Sequence, residues 1–243
     1  MSDSGAEYAV SVEFYDLLQA DRDRRLALRR YAEAAGRARR GILDVGAGTG
    51  IVTEVLLRSG AAPVHAVEPA PAMRAALMAR AAGLGADQRA RLTVHPGTVG
   101  ETGLDGEVDL AVASNVIGCL DPDDRRAAWD AVARALLPDG LLLFDPPPAA
   151  LPSGPEAVEA LGPVRVGPDA YSARATREPH QDTIRTTFTY RVEREGELLR
   201  EEQESFTMWA TDPHTLGREL RAYGLQVVPA PHSDLLAARR SVR

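Results

Sequence analysis

The sequence predicts an α/β fold: a doubly wound, mostly parallel sheet with helices on both faces and an insertion after the fifth strand. Three observations carry that expectation. Five short apolar runs, at 42–45, 64–67, 91–95, 108–113 and 141–144, alternate with helical stretches. This is the pattern of strands covered on both faces by crossover helices. The first run opens into Asp44-Val45-Gly46-Ala47-Gly48-Thr49-Gly50, a glycine turn between strand and helix. Residues 146–179 then hold eight of the 17 prolines and end the alternation. At 243 residues the chain is long enough for one large domain carrying such an insertion.

The elements follow in order. Residues 9–19 and 21–39 read as two helices, with Val10, Phe14, Leu17 and Leu18 at helical spacing and Asp21 as a cap for the second. Eight arginines lie in residues 1–40, but seven acids share the segment, so it reads as a solvated helix face. Ile42 to Val45 is the first strand, 51–59 a helix stopped by Gly60, and Val64 to Val67 the second strand, ending in Glu68-Pro69. A helix follows over 70–82, with Pro71 tolerated in its first turn. Arg91 to His95 and Val108 to Ala113 are the third and fourth strands. Asp121-Pro122-Asp123-Asp124 starts a helix whose buried face carries Trp129, Val132 and Leu136. Pro138-Asp139-Gly140 reads as a turn before a fifth strand, Leu141 to Phe144.

Residues 146–179 read as an irregular loop, too rich in proline for long regular elements. Alternation returns where Ile184, Thr186, Phe188, Tyr190 and Val192 share one strand face, and Glu195-Gly196 turns the chain back into 198–209. Asp212-Pro213 opens a last helix ending at Gly224, with strands at 225–228 and 235–240. Four regions result: N-terminal helices over 1–40, an α/β core over 41–145, an inserted cap over 146–209, and the last helix and strands over 210–243.

Composition excludes several chemistries. All 28 basic residues are arginine. Without lysine there is no Schiff-base catalysis with pyridoxal phosphate and no Walker-type phosphate loop. The arginine bias fits a GC-rich, actinobacterial coding sequence. With Cys119 the single cysteine, an internal disulfide and a cysteine-based zinc or iron–sulfur site are excluded. The net charge of −7 argues against a general nucleic-acid binder. Met1 to Gly5 has neither the basic nor the apolar region of a leader, and no stretch approaches 18 uninterrupted apolar residues. A cytoplasmic protein without membrane association is the expectation.

The glycine turn selects a ligand. A dinucleotide fingerprint is G-x-G-x-x-G, and both registers fail, because its last glycine falls on Ile51 or Thr53. The spacing is G-x-G-x-G, preceded by Asp44. A carboxylate there sits badly beside a pyrophosphate and suits a cationic ligand. Glu68, 20 residues after Gly48 at the end of the second strand, is placed to accept both hydroxyls of a ribose. A ribose, a positive charge and no phosphates describe S-adenosylmethionine.

At this point the sequence resembles the class I S-adenosylmethionine-dependent methyltransferases, whose fold is Rossmann-like. ILDVGAGTG at 42–50 looks like their first motif, HAVEPA at 65–70 their second, and VHPGTV at 94–99 their third. VDLAVASN at 108–115 and LLPDGLLLFD at 136–145 resemble the fourth and fifth. The resemblance implies seven strands, the last antiparallel, with the insertion as a lid. It also implies that Gly46, Ala47, Gly48, Thr49 and Gly50 line the methionine moiety, with Asp44 facing its amino group. Glu68 would take the ribose, Pro69 and Met73 would flank the adenine, and Gly97, Thr98 and Val99 would meet its edge. Asn115 would face the cofactor and the substrate entrance. Position 98 is often aspartate in the family. Thr98 can still accept a hydrogen bond through its hydroxyl. The segment VEFYDLL resembles the entrance-closing helix of small-molecule members, which places Tyr15 at the methionine carboxylate.

Methyl transfer from a sulfonium is an in-line displacement, so the protein mainly positions the nucleophile and excludes water. No catalytic motif is required, and none is assigned. Many small-molecule members place a histidine base after the fourth strand, where this chain reads Asn115-Val116-Ile117-Gly118-Cys119. Catechol-type members need metal-binding carboxylates where Ser114 stands, so no metal is expected. Asp145-Pro146-Pro147 follows the fifth strand, not the fourth, and lacks the aromatic residue of the nucleobase and glutamine methyltransferase signature. Tyr8, Cys119 and Asp145 are the residues expected to face the acceptor. His95, His180 and His214 read as exposed or capping side chains ahead of candidate bases. The proline loop and hairpin resemble the cap of sugar N-methyltransferases and related natural-product enzymes, which implies a small-molecule substrate, no nucleic acid, and a monomer or homodimer. The reaction read here is methyl transfer to oxygen or nitrogen. The alternative is a cyclisation or elimination that uses the sulfonium for its charge.

Overall fold

The computed structural model describes residues 8–158 and 160–241. The opening pentapeptide considered above as a leader lies outside them.

The chain begins with one long helix, α1 (Ser11–Arg37), where two were expected. No proline interrupts it, and the Asp21 carboxylate pairs with Arg24 three residues on instead of capping a new start. The core strands then fall where the apolar runs predict: β1 (Ile42–Val45), β2 (Val64–Val67), β3 (Leu92–His95) and β4 (Val108–Ala113). Between them lie α2 (Ile51–Ser59), α3 (Pro71–Ala82) and the short α4 (Ala86–Arg89). Asp121 caps α5 (Pro122–Ala135), its side chain accepting the N–H groups of Asp123 and Asp124. Strand β5 (Leu136–Phe144) is longer than expected. Leu136 pairs with Val108 and Leu141 with Leu110, so the predicted turn at 138–140 is an outward bulge within the strand.

The second half departs most from expectation. Residues 146–179 are not one irregular loop. They supply β6 (Glu156–Ala157), β7 (Leu161–Val166) and the 12-residue β8 (Asp169–His180). The prolines explain both the expectation and its failure. Pro168 sits in the β7–β8 turn and Pro179 at the end of β8, so the ten residues between them can all donate to a ladder. With β9 (Thr183–Arg194) and β10 (Glu197–Met208), β8 forms an antiparallel five-stranded sheet rather than a lone hairpin. Helix α6 (Pro213–Ala222) is capped by Asp212, and β11 (Leu225–Val228) and β12 (Leu236–Arg240) end the chain.

The seven-stranded sheet has the order β11-β12-β5-β4-β1-β2-β3. Strand β12 runs antiparallel to both neighbours, as the resemblance implied. The chain crosses from β1 to β2 on one side and to β4 on the other. This makes the C-terminal edge of β1 a topological switch point, where ligands of doubly wound folds bind. Helices α1 and α2 cover one face through Tyr31, Ile42, Leu56 and Leu110. Helices α5 and α6 cover the other through Trp129, Phe144, Leu216 and Leu220. A groove of about 500 Å³ between α1 and β5, floored by Leu141 and Leu143, marks the less covered end of the first face. It lies apart from the glycine turn.

The second sheet rests on the N-terminal half of α1. Phe14 stacks on Tyr190 at 4.5 Å, and Tyr190 donates its hydroxyl to Ser11. Two backbone bonds tie its base to the core, Trp209 N–H to the Gly118 carbonyl and Thr211 N–H to the Pro148 carbonyl, each 2.7 Å.

Helices α5 and α6 are joined by a buried ion pair. Arg125, 2% exposed, makes a two-pronged contact at 2.9 Å with Glu219, which also accepts the Trp129 indole N–H. Replacing Arg125 with methionine leaves the Glu219 charge half-hidden without its partner. The expected loss is about 3–5 kcal/mol, read as a lower urea midpoint. A midpoint within experimental error of wild type would refute the bolt.

Candidate functional site

The site is built where β1 and β2 end. At 46, 48 and 50 the glycine turn has φ of 68°, 56° and 84°. At Gly46 a Cβ would lie 2.7 Å from the Val116 side chain, so the turn is packed tightly from behind. At Gly48 nothing lies within 4 Å of where a Cβ would be, so this part of the turn faces open space. A left-handed backbone at both positions excludes most side chains.

Two carboxylates flank the turn. Glu68 is 6% exposed, and its two oxygens accept the Gly48 N–H at 2.7 Å and the Ala70 N–H at 2.8 Å. Asp44 is 1% exposed and accepts the Thr53 hydroxyl at 2.6 Å. Burial pushes the Asp44 carboxyl up to about 7; the Thr53 hydrogen bond opposes the shift and the nearby Glu68 charge adds to it. Asp44 is therefore a poor anion without a cation beside it.

The turn is also held from above, by two residues the sequence reading missed. Thr49, 2% exposed, donates its hydroxyl to Asp16 at 2.6 Å. Arg80 of α3 binds the other Asp16 oxygen at 2.5 Å and the Thr49 carbonyl at 2.8 Å. Asp16 immediately follows Tyr15, in the segment expected to close the site. The Tyr15 hydroxyl is engaged by Asp23 of its own helix, and burial raises it well above the ordinary tyrosine range. It is Asp16 that reaches the glycine turn.

The remaining expected residues fall into two groups. Around the β2 and β3 ends, Met73 is buried in α3 and Pro69 is exposed. At Gly97 a Cβ would come within 2.3 Å of the Glu101 carboxylate. That carboxylate accepts both the N–H and the hydroxyl of Thr98, and Val99 is buried beneath. A hydroxyl that donates to Glu101 keeps lone pairs with which to accept. Around the β4 and β5 ends, Asn115 has φ of 57° and donates its N–H to Asp145 at 2.7 Å. Cys119 lies in a one-turn helix (Ile117–Cys119), its thiol 3.6 Å from the Asn115 carbonyl. Asp145 thus faces the turn after β4 rather than standing as a lone carboxylate in a cavity. Tyr8 stacks on Phe206 of β10 at 4.9 Å, on the second sheet.

The histidines lie elsewhere. His65 and His95 bond each other at 3.1 Å across β2 and β3. His180 meets Arg185 at a hairpin tip, His214 is in the first turn of α6, and His232 lines the distant groove. Among the described residues no group of three or more His, Cys, Asp or Glu is placed to hold a metal ion.

The raised Asp44 carboxyl makes stability depend on pH. The unfolded chain ionises it near 3.8 and the folded chain near 7. Between those values the unfolded state sheds a proton that the folded state keeps, so stability falls as pH rises through the window. The full effect is on the order of 4 kcal/mol. Asp44→Asn keeps an acceptor for Thr53 and carries no charge. Its melting temperature should match wild type near pH 4 and exceed it by several degrees at pH 8. Parallel curves for the two proteins would contradict the buried-charge account.

Comparison with known proteins agrees with this geometry. Residues 43–142 match the family model described as a methyltransferase domain. No curated protein matches the sequence. Solved structures do. The amino pentose methyltransferase CalS10 of Micromonospora echinaspora, involved in calicheamicin biosynthesis and solved with SAM bound, is 20% identical over 96% of each chain, with a TM-score of 0.70. The CcbJ methyltransferase of Streptomyces caelestis is 18% identical over 99% of this chain and 100% of its own, with a TM-score of 0.74. The sugar N-methyltransferase KedS8 of Streptoalloteichus is 21% identical over 96% and 93%, with a TM-score of 0.67. Residues 43–142 are thus similar to a methyltransferase domain, and the chain as a whole shares the class I methyltransferase fold of these solved structures.

Proposed function

We propose that the protein is an S-adenosylmethionine-dependent methyltransferase that methylates an amine of a small molecule in secondary metabolism. One observation carries the cofactor: two buried carboxylates at adjacent strand ends flank a left-handed glycine turn that is open at Gly48. Each Glu68 oxygen takes one backbone N–H, and a carboxylate oxygen can accept a second hydrogen bond, here from a ribose hydroxyl. Asp44, reluctant to ionise by itself, gains from a nearby ammonium or sulfonium. The residues present therefore suit the group. Met73 and Pro69 would flank the adenine, with Gly97 to Val99 at its edge.

When bound, S-adenosylmethionine supplies an electrophilic methyl group. The chain's own contribution is to hold the two reactants in line and dry. Asp16, Thr49 and Arg80 fasten α1 over the glycine turn. The second sheet and the 115–119 turn close the opposite side, and 146–209 acts as the acceptor's cap. The residues that follow β4 include no imidazole. An alcohol nucleophile needs a strong base there, whereas a neutral amine already carries its lone pair. Nitrogen acceptors are also named for two similar structures, a sugar N-methyltransferase and a glycopeptide N-methyltransferase, and a third is an amino pentose methyltransferase.

The test is calorimetric titration with S-adenosylmethionine and with NADH. Adenosyl ligand should bind and NADH should give no heat. Glu68→Ala, which removes two charge-assisted contacts to the ribose, should weaken adenosyl binding at least tenfold. Affinity should also fall as pH drops below about 7, where Asp44 takes up its proton. With an amino-sugar acceptor, the product should gain one methylene in mass and S-adenosylhomocysteine should appear. Tight NADH binding with no adenosyl heat would sink this assignment.

A further inference from the structure

The β5 end holds an acid that the chemistry above does not use. Asp145 is half-buried, and one oxygen accepts the Asn115 N–H at 2.7 Å. That bond joins the ends of β4 and β5 across 30 residues of sequence. Its partner Asn115 is left-handed at φ 57°, a conformation that asparagine tolerates better than most side chains and that turns its N–H toward Asp145. Arg30 and Tyr31 of α1 and Asp234 of the β11–β12 loop are the charged or titratable groups facing Asp145. Arg30 is itself tied to Asp234 at 2.9 Å, so it does not fully claim the Asp145 carboxylate. Burial raises the Asp145 carboxyl, and the Asn115 N–H, the largest opposing influence, pulls it back.

The turn that begins at Asn115 touches both halves of the site. Val116 is the side chain against which Gly46 packs, 2.7 Å from the place of a Cβ. Gly118 lies under Met208 and Pro148, and its carbonyl accepts the Trp209 N–H from the base of the second sheet. A shift of Asn115 therefore moves the wall behind the glycine turn and the seat of the second sheet together.

We propose that Asp145 is a positioning residue, whose grip on the Asn115 N–H sets the 115–119 turn against the glycine turn on one side and the second sheet on the other. The inference rests on the cofactor reading above. It assigns Asp145 to cofactor affinity through Asn115 and Val116, not to proton removal from the acceptor.

The experiment compares wild type, Asp145→Asn, Asp145→Ala and Asp145→Leu. Asn keeps an acceptor oxygen of the same reach. Ala and Leu do not, and Leu preserves the volume should Ala fail to fold. The readouts are S-adenosylhomocysteine affinity by calorimetry, exchange of the Asn115 amide proton by NMR, and the melting temperature. Ala and Leu should bind about tenfold more weakly and expose the Asn115 amide to fast exchange. Asn should stay within threefold of wild type with the amide still protected. Folded Ala or Leu variants that bind like wild type overturn the proposal, as does an Asn variant as weak as Ala. Wild-type protein that binds no S-adenosylhomocysteine overturns the cofactor reading and this inference with it.

Discussion

Two buried carboxylates, 24 residues apart in sequence but at the ends of neighbouring parallel strands, are the constraint around which the rest of the structure is arranged. Such a pair is unfavourable in a dry setting. It is tolerated because hydrogen-bond donors are pre-arranged around it: two backbone N–H groups on Glu68 and the Thr53 hydroxyl on Asp44. The Gly48 N–H can point at Glu68 only because the turn is left-handed. The turn keeps that form because Val116 packs behind it and the Asp16, Thr49 and Arg80 network grips it from above. Local backbone, helix placement and electrostatics are thus facets of one arrangement that leaves negative potential at the open lip.

Much of this was legible in the sequence. Strands β1, β2 and β4 are short runs of branched and aliphatic residues between turns, and their burial on both faces leaves few other readings; β3, at the sheet edge, is only half-buried. Asp44 and Glu68 stood out because they lie at the C-terminal ends of such runs, Asp44 just before the glycine turn and Glu68 just after the second strand. Asp121 and Asp212 announced their helices through local capping, a pattern confined to four residues.

What escaped has physical reasons. The Asp16–Arg80 bond spans 64 residues and has no local signature, so only the packing of α1 on α3 reveals it. Tyr15 drew attention as the aromatic of its segment; that its hydroxyl engages Asp23, eight residues further along the same helix, has no signature in the sequence. The long strand β8 was hidden by counting prolines without asking where they fall: Pro168 and Pro179 lie at its two ends, and Pro163 falls at the irregularity in the β7 pairing. Asp145 was placed on the right edge of the sheet, but its partner is a backbone amide, and backbone partners are invisible in composition and spacing.

The second sheet is seated in two ways: its face packs on α1 through Phe14, Tyr190 and Val192, and its base is tied by main-chain bonds, Trp209 to Gly118 and Thr211 to Pro148. Main-chain joints are indifferent to side-chain identity. Mutations on β9 and β10 that spare Tyr190 and Val192, the residues packed on α1, leave both main-chain joints in place. The surface of the second sheet can therefore vary with little consequence for the glycine turn, because the joints between them carry no side-chain requirement.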